Sequence, residues 1–143
     1  MENYEEKQLL LKDLSGRLLY GVKCQTKNGI GTLISVEHSF GENLAYVDFG
    51  FPVAEEYDLN DGDTVKPYLR PMSSMTDEET KYKLSNFFKI INTNIEGVGY
   101  KPTLNTFNAI RLIDWLNKNM FDYRGLIEKG LALEAPEGMY KID

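Results

Sequence analysis

The stretch Tyr20-Gly21-Val22-Lys23-Cys24-Gln25-Thr26-Lys27-Asn28-Gly29-Ile30 decides the fold class. Val22, Cys24 and Thr26 alternate with Lys23, Gln25 and Lys27, the two-residue period of a strand with one buried face. Asn28-Gly29 then predicts a tight hairpin turn, because both residues accept positive φ. The return strand runs from about Ile30 to Glu37, and Ser39-Phe40-Gly41-Glu42-Asn43 reads as a loop. Leu44 to Phe49 is a third strand with Ala45, Val47 and Phe49 on one side, and Gly50-Phe51-Pro52 breaks it. Val53 to Leu59 adds a short edge strand, Asn60-Asp61-Gly62-Asp63 turns, and Thr64 to Leu69 closes the set. Pro67 places this last strand at an edge, since proline cannot donate to a ladder. Short strands joined by tight turns within about fifty residues predict a small curled antiparallel sheet, read here as an SH3-like β-barrel. Such a sheet cannot bury both faces alone, so flanking helices must cover it.

Working outward, the N-terminal segment predicts a helix. Leu10, Leu11, Leu14 and Leu18 follow helical spacing, with Glu5, Glu6, Lys7, Gln8, Lys12 and Asp13 assigned to the polar face and Gly16 to the stop. After the strands, Pro71-Met72-Ser73-Ser74-Met75 reads as an extended linker. Thr76-Asp77-Glu78-Glu79 is a capping box, in which the Thr76 hydroxyl and the Glu79 carboxylate each accept from the other's backbone N–H. The helix it starts has a buried stripe of Leu84, Phe87, Phe88 and Ile91, helped by Tyr82 and Ile90, and fades near Asn92. Asn94 to Pro102 is irregular. A second helix runs from about Leu104 to Lys118, with Ala109, Leu112, Ile113, Leu116 and Met120 on one stripe and Phe107, Ile110 and Trp115 widening it. A helix so apolar on several sides is expected to be wedged between partners. The tail from Phe121 to Asp143 reads as turns with one apolar segment, Leu131-Ala132-Leu133. The architecture is thus α+β: a helix with a small barrel over residues 1–73, then a helical lobe over 74–143 packed on it as one structural unit.

The chain has 143 residues, 12% of them aromatic, and a net charge of −6. That is one domain's worth of chain with ample material for a core. No apolar run approaches the ~20 residues of a membrane span, and a cytoplasmic setting is expected. One cysteine leaves no intramolecular disulfide. The first 73 residues carry seven basic and twelve acidic side chains, the remainder nine and ten. Neither half is the basic surface that binding by counterion release requires, which disfavours nucleic acid as a partner. The acidic run from Glu55 to Asp63 reads as a solvated turn.

Candidate chemistry is sparse. His38 is the single histidine; a nucleophilic site would pair it with Ser35 or Ser39 and with Asp48, but no Gly-x-Ser-x-Gly turn is present. Cys24, on the inward face of its strand, reads as a core filler. Tyr57 to Tyr68 does not match the oxygen pattern of a calcium loop, because Leu59 stands at position three and Tyr68 replaces glutamate at twelve. No glycine-rich phosphate loop occurs, and Gly97-Val98-Gly99 with Lys101 reads as a flexible connection. No catalytic residue, metal ligand or cofactor is assigned. The aromatic surplus near the sheet, Tyr46, Phe49, Phe51, Tyr57 and Tyr68, reads first as core, with Tyr46, Phe51, Tyr57 and Tyr68 as candidate partner contacts. Phe121-Asp122-Tyr123-Arg124-Gly125 reads as a loop that Asp122 caps, with Arg124 as a further candidate contact.

Three strings carry a resemblance: Leu18-Leu19-Tyr20-Gly21-Val22-Lys23, Val65-Lys66-Pro67-Tyr68-Leu69-Arg70-Pro71-Met72-Ser73-Ser74-Met75-Thr76 and Phe121-Asp122-Tyr123-Arg124-Gly125-Leu126-Ile127. Together the chain resembles a family of small proteins of gut Bacteroides and relatives, often encoded in prophages or mobile elements. The family often has proline where Leu19 stands and a histidine near Asn119-Met120, so a histidine-based site gains no support from it. The resemblance implies a setting and no mechanism. The leading expectation is a non-enzymatic binding or adaptor protein that acts on a host protein. The competing ones are a nucleic-acid accessory protein using the barrel face and a small enzyme with a carboxylate site. The wide apolar face of the second helix is compatible with a homodimer.

Overall fold

The computed structural model describes residues 4–50, 53–60, 62–92 and 100–140. Helix α1 (Tyr4–Arg17) turns Leu10, Leu11 and Leu14 inward. It does not stop at Gly16. It continues to Arg17, passes through a 3-10 turn over Leu18–Tyr20, and ends at Gly21, whose φ of 72° terminates the segment. Gly16 instead faces Asn117, whose side-chain amide would lie 3.4 Å from a Cβ at that position.

The described residues form eight strands: β1 (Lys23–Thr26), β2 (Gly29–Ser39), β3 (Glu42–Asp48), β4 (Glu55–Asp58), β5 (Lys66–Leu69), β6 (Lys89–Asn92), β7 (Tyr100–Thr103) and β8 (Leu133–Glu134). The first five follow the expected order with shifted limits, whereas β6 and β7 stand where a helix end and an irregular segment were expected. Six of them form one sheet in the order β4-β3-β2-β1-β5-β8. All neighbours run antiparallel except β5 and β8, which are parallel. The sheet is open: β4 and β8 lie at its two ends, where a closed SH3-like barrel was expected. Pro67 does not mark an edge strand, since β5 has β1 on one side and β8 on the other. It is tolerated because the β8 pairing begins one residue later, at Tyr68, so Pro67 itself faces a strand on one side only.

The two hairpins exchange their expected turn chemistry. Between β1 and β2 the turn residues are Lys27 and Asn28, with Thr26 opposite Gly29, and the positive φ falls on Gly29 alone. The Thr26 hydroxyl fixes this turn by accepting from the Asn28 N–H and donating to the Gly29 carbonyl. The turn with two positive φ angles is Phe40-Gly41, between β2 and β3. A bulge between Leu33 and Ser35 bends β2. Gly31 permits close approach of β3, because a Cβ there would meet Val47 Cγ1 at 2.6 Å and the Asp48 carbonyl at 2.7 Å.

Val22, Cys24, Leu33, Ala45, Val47, Tyr57, Leu59, Val65 and Leu69 point from the sheet into a core shared with Leu10, Leu11 and Leu14. Its remaining members are Met120, Leu126, Leu131 and Ala132. The segment after the last helix thus completes a core that a barrel would have sealed by itself. Burial of each such leucine contributes about 1.5–3 kcal/mol. The core and the sheet both draw on the last third of the chain, across the expected 73/74 boundary.

Between β5 and this segment lies an excursion: α2 (Asp77–Phe87), β6 paired antiparallel with β7, and α3 (Thr106–Lys118). The Thr76–Glu79 capping box forms as expected, at 3.0 and 3.1 Å. Helix α2 ends at Phe87, and the chain becomes extended where the sequence pattern continued the helix toward Asn92. Of the expected stripe, Phe87 is buried while Leu84 and Tyr82 are exposed.

Candidate functional site

Helix α3 begins where the Asn105 side chain accepts from the Asn108 N–H at 2.7 Å. Its inner side joins an aromatic cluster. Trp115 stacks on Tyr82 with ring centres 5.6 Å apart and lies 5.8 Å from Phe87 and 5.7 Å from Phe121. The Arg111 guanidinium sits over Phe87 at 5.4 Å and reaches Phe107 at 5.9 Å, while donating to Asn108 Oδ1 at 3.2 Å. These contacts clip α3 to α2 and leave Phe107, Ile110 and Ile113 on an arc of about 120°. Their exposures are 70%, 59% and 38%. Leu104 just before the helix, and Tyr82 and Leu84 on α2, are exposed as well. The helix is therefore not wedged between partners along this face, because α2 covers one side only.

The excursion is tied to the sheet at one main point. Arg70, at the end of β5, grips the Glu79 carboxylate with two bonds of 2.7 and 2.9 Å and lies over the Phe121 ring at 4.1 Å. The backbone of Arg70 also exchanges hydrogen bonds with Met120 and Asp122. The Glu79 carboxyl is held below its ordinary range chiefly by the Arg70 hydrogen bond.

A second assembly is interior. Asp13 and Arg17, both fully buried, form a two-pronged ion pair at 3.0 Å. Arg124 adds a third charge, donating to Asp13 Oδ1 at 2.9 Å. Arg17 also donates to the Phe121 carbonyl at 2.7 Å, and both guanidinia lie over the Tyr123 ring. Sequence reading placed Asp13 on the polar face and passed over Arg17. The available signal was spacing, since positions 10, 13, 14 and 17 share one helix face with Leu10 and Leu14.

No family model, curated protein or solved structure matches the chain. The expected contact residues fall in different places. Tyr46 lies on the outer side of the sheet, its hydroxyl donating toward Glu56 and Glu37 at 3.1 and 3.2 Å and pushed up to about 12, first by the Glu56 hydrogen bond. Tyr68 is half-buried and donates to Gln25 at 2.7 Å. Tyr57 is 1% exposed and belongs to the core, because its hydroxyl finds Thr26 and Glu55 there. Arg124 is spent on Asp13. Phe51 and the Gly97-Val98-Gly99 segment lie outside the described residues. Asp122 caps its turn by accepting from the Leu126 and Ile127 N–H groups.

The reactive candidates are structural. His38 shares a hydrogen bond with the Asn43 side chain, and the Asn43 amide passes on to Asn60 at 3.0 Å, which clamps the β2–β3 hairpin to the turn after β4. Cys24 is buried, and burial pushes its thiol up to about 12, with Asp13 adding to the rise. Among the described residues no group of three or more His, Cys, Asp or Glu side chains is placed to hold a metal ion, and no helix is long and apolar enough to cross a membrane.

Proposed function

We propose that this is a non-enzymatic binding protein that docks a partner protein on the exposed face of α3. One observation carries the reading: Phe107, Ile110 and Ile113 stand exposed together on a helix that is held rigidly from behind by Trp115 and Arg111. Rigid apolar anchors are the residues from which protein contacts draw most of their energy. The setting implied by the resemblance, a mobile-element protein among gut Bacteroides, makes a host protein the natural occupant. The sheet face, with Tyr46 and Tyr68 already hydrogen-bonded to neighbours, offers less apolar surface for such a contact.

The test compares wild type with Ile110→Asp. A host protein recovered on wild type, purified, and shown to bind directly should bind the variant at least about tenfold more weakly, a loss of about 1.4 kcal/mol. Equal binding by both removes α3 from the contact. Self-association of wild type that Ile110→Asp abolishes, with no other protein bound, makes the face a homodimer seam and ends the adaptor reading.

A further inference from the structure

A cleft of about 490 Å³ lies on a different part of the surface and shares no lining residue with the α3 face. Three lysines from distant parts of the chain converge on it: Lys7 from α1, Lys66 from β5 and Lys129 from the loop before β8. None of the three forms an ion pair among the described residues. The wall's aspartate is already engaged. One oxygen of Asp63 meets Lys27 at 3.1 Å, and the other accepts the Asp58 N–H at 3.0 Å. Glu6 is the other acid on the wall, and even if it offsets one ammonium, two remain. Among the described lining residues the three lysines thus outnumber the two acids, in a chain whose net charge is −6. Like charges brought to one cleft repel, and a bound anion turns that cost into attraction.

We propose that this cleft binds a small phosphate monoester whose carbon portion is aliphatic. A monoester near neutral pH carries close to two negative charges on three acceptor oxygens, a charge that the lysines lining the cleft can neutralise. The floor beside the lysines is formed by Leu59 and Leu131, both buried, which suits a short aliphatic or sugar-sized group. No aromatic ring lines the cleft, so a nucleobase would find nothing to stack on. The volume falls within the range of small-molecule sites.

The experiment is a titration of glycerol 3-phosphate into the isotope-labelled full-length protein at constant ionic strength, followed by amide chemical shifts. Saturable shifts are expected at Lys7, Thr64, Lys66 and Lys129, with half-saturation near or below about 1 mM. Lys66→Gln and Lys129→Gln should each raise that midpoint about fivefold, the effect of one lost charge-assisted contact. No saturable shift up to about 10 mM in wild type overturns the proposal, and this arm needs no variant to fold. An unchanged midpoint in the double variant overturns it as well. Succinate binding equally tightly overturns the phosphate assignment, and adenosine monophosphate binding more tightly overturns the aliphatic one. Loss of partner binding at Ile110 leaves every one of these readouts untouched.

Discussion

Around the sheet, Leu14, Val22, Cys24, Ala45 and Val65 are fully buried, and even the charges of Asp13 and Arg17 are enclosed, whereas on α3 Phe107 and Ile110 keep most of their surface in solvent. Helix α1 and the segment after α3 join the sheet in one core, and those two are tied to each other at the Asp13–Arg17–Arg124 knot. The α2–β6–β7–α3 excursion meets the core where Phe87, Trp115 and Phe121 gather beneath Arg70, and again where Asn117 of α3 lies beside Gly16 of α1. Buried apolar side chains are concentrated in the first region, and exposed ones stand together on α3 in the second. The difference teaches that the parts of the chain most helical by pattern are not the parts that seal the sheet.

The strongest way to break this contrast is Asp13→Asn. It leaves the enclosed Arg17 and the partly exposed Arg124 without their carboxylate, and removal of one member of a buried pair costs about 3–5 kcal/mol. Urea unfolding should show a loss of that size, and a loss under about 1 kcal/mol would mean the knot is far more solvated than its geometry. Tyr140→Phe comes next. The Tyr140 hydroxyl accepts from the Lys23 N–H at 2.9 Å and donates to the Tyr68 carbonyl at 2.7 Å, bridging β1 and β5 where their direct pairing ends. Burial above all pushes that hydroxyl's proton affinity up. Loss of the bridge leaves two backbone groups unpaired and should cost about 1–3 kcal/mol in the same assay.

A third experiment sharpens the comparison by loosening only the excursion. The folded Glu79 carboxyl titrates below its ordinary value of 4.5. Its contribution is therefore present in full above that value and is lost as pH falls through the lower folded one. Acid titration of Trp115 fluorescence, the signal of the only tryptophan, should reveal a transition below pH 4.5 that Glu79→Gln abolishes. A transition that persists in the variant would place the acid-sensitive contact elsewhere. The smallest expected effect is that of Ile110→Asp on stability. Being a surface change away from the core, it should change the free energy of urea unfolding by no more than about 0.5 kcal/mol. A larger loss would show that the α3 face is covered within the chain itself.

Much of the fold is legible in the sequence. The alternation from Val22 to Thr26, the capping box at Thr76, the break after Phe49 and the cap at Asp122 all read correctly, because each depends on neighbours a few residues apart. The β1–β2 turn lies one residue before the expected place, since Asn28-Gly29 satisfies the usual turn preference but the Thr26 hydroxyl draws the turn back to Lys27-Asn28. The candidate contacts were less legible. Tyr57 and Arg124 look like surface residues by type, and only their long-range partners Thr26 and Asp13 show them to be internal.

Periodicity, caps and turns are settled by local sterics and hydrogen bonding, so the α+β class and the order of α1, β1 to β5, α2 and α3 stand in the sequence. Only the tertiary structure decided that the sheet stays open, that the chain after α3 closes its core, and that α3 keeps an apolar face in solvent. Those outcomes depend on meetings such as Arg17 with the Phe121 carbonyl, 104 residues apart. Whether a charge on a helix stripe is buried or solvated is set by the partner waiting on the other side, and no local pattern encodes where that partner is.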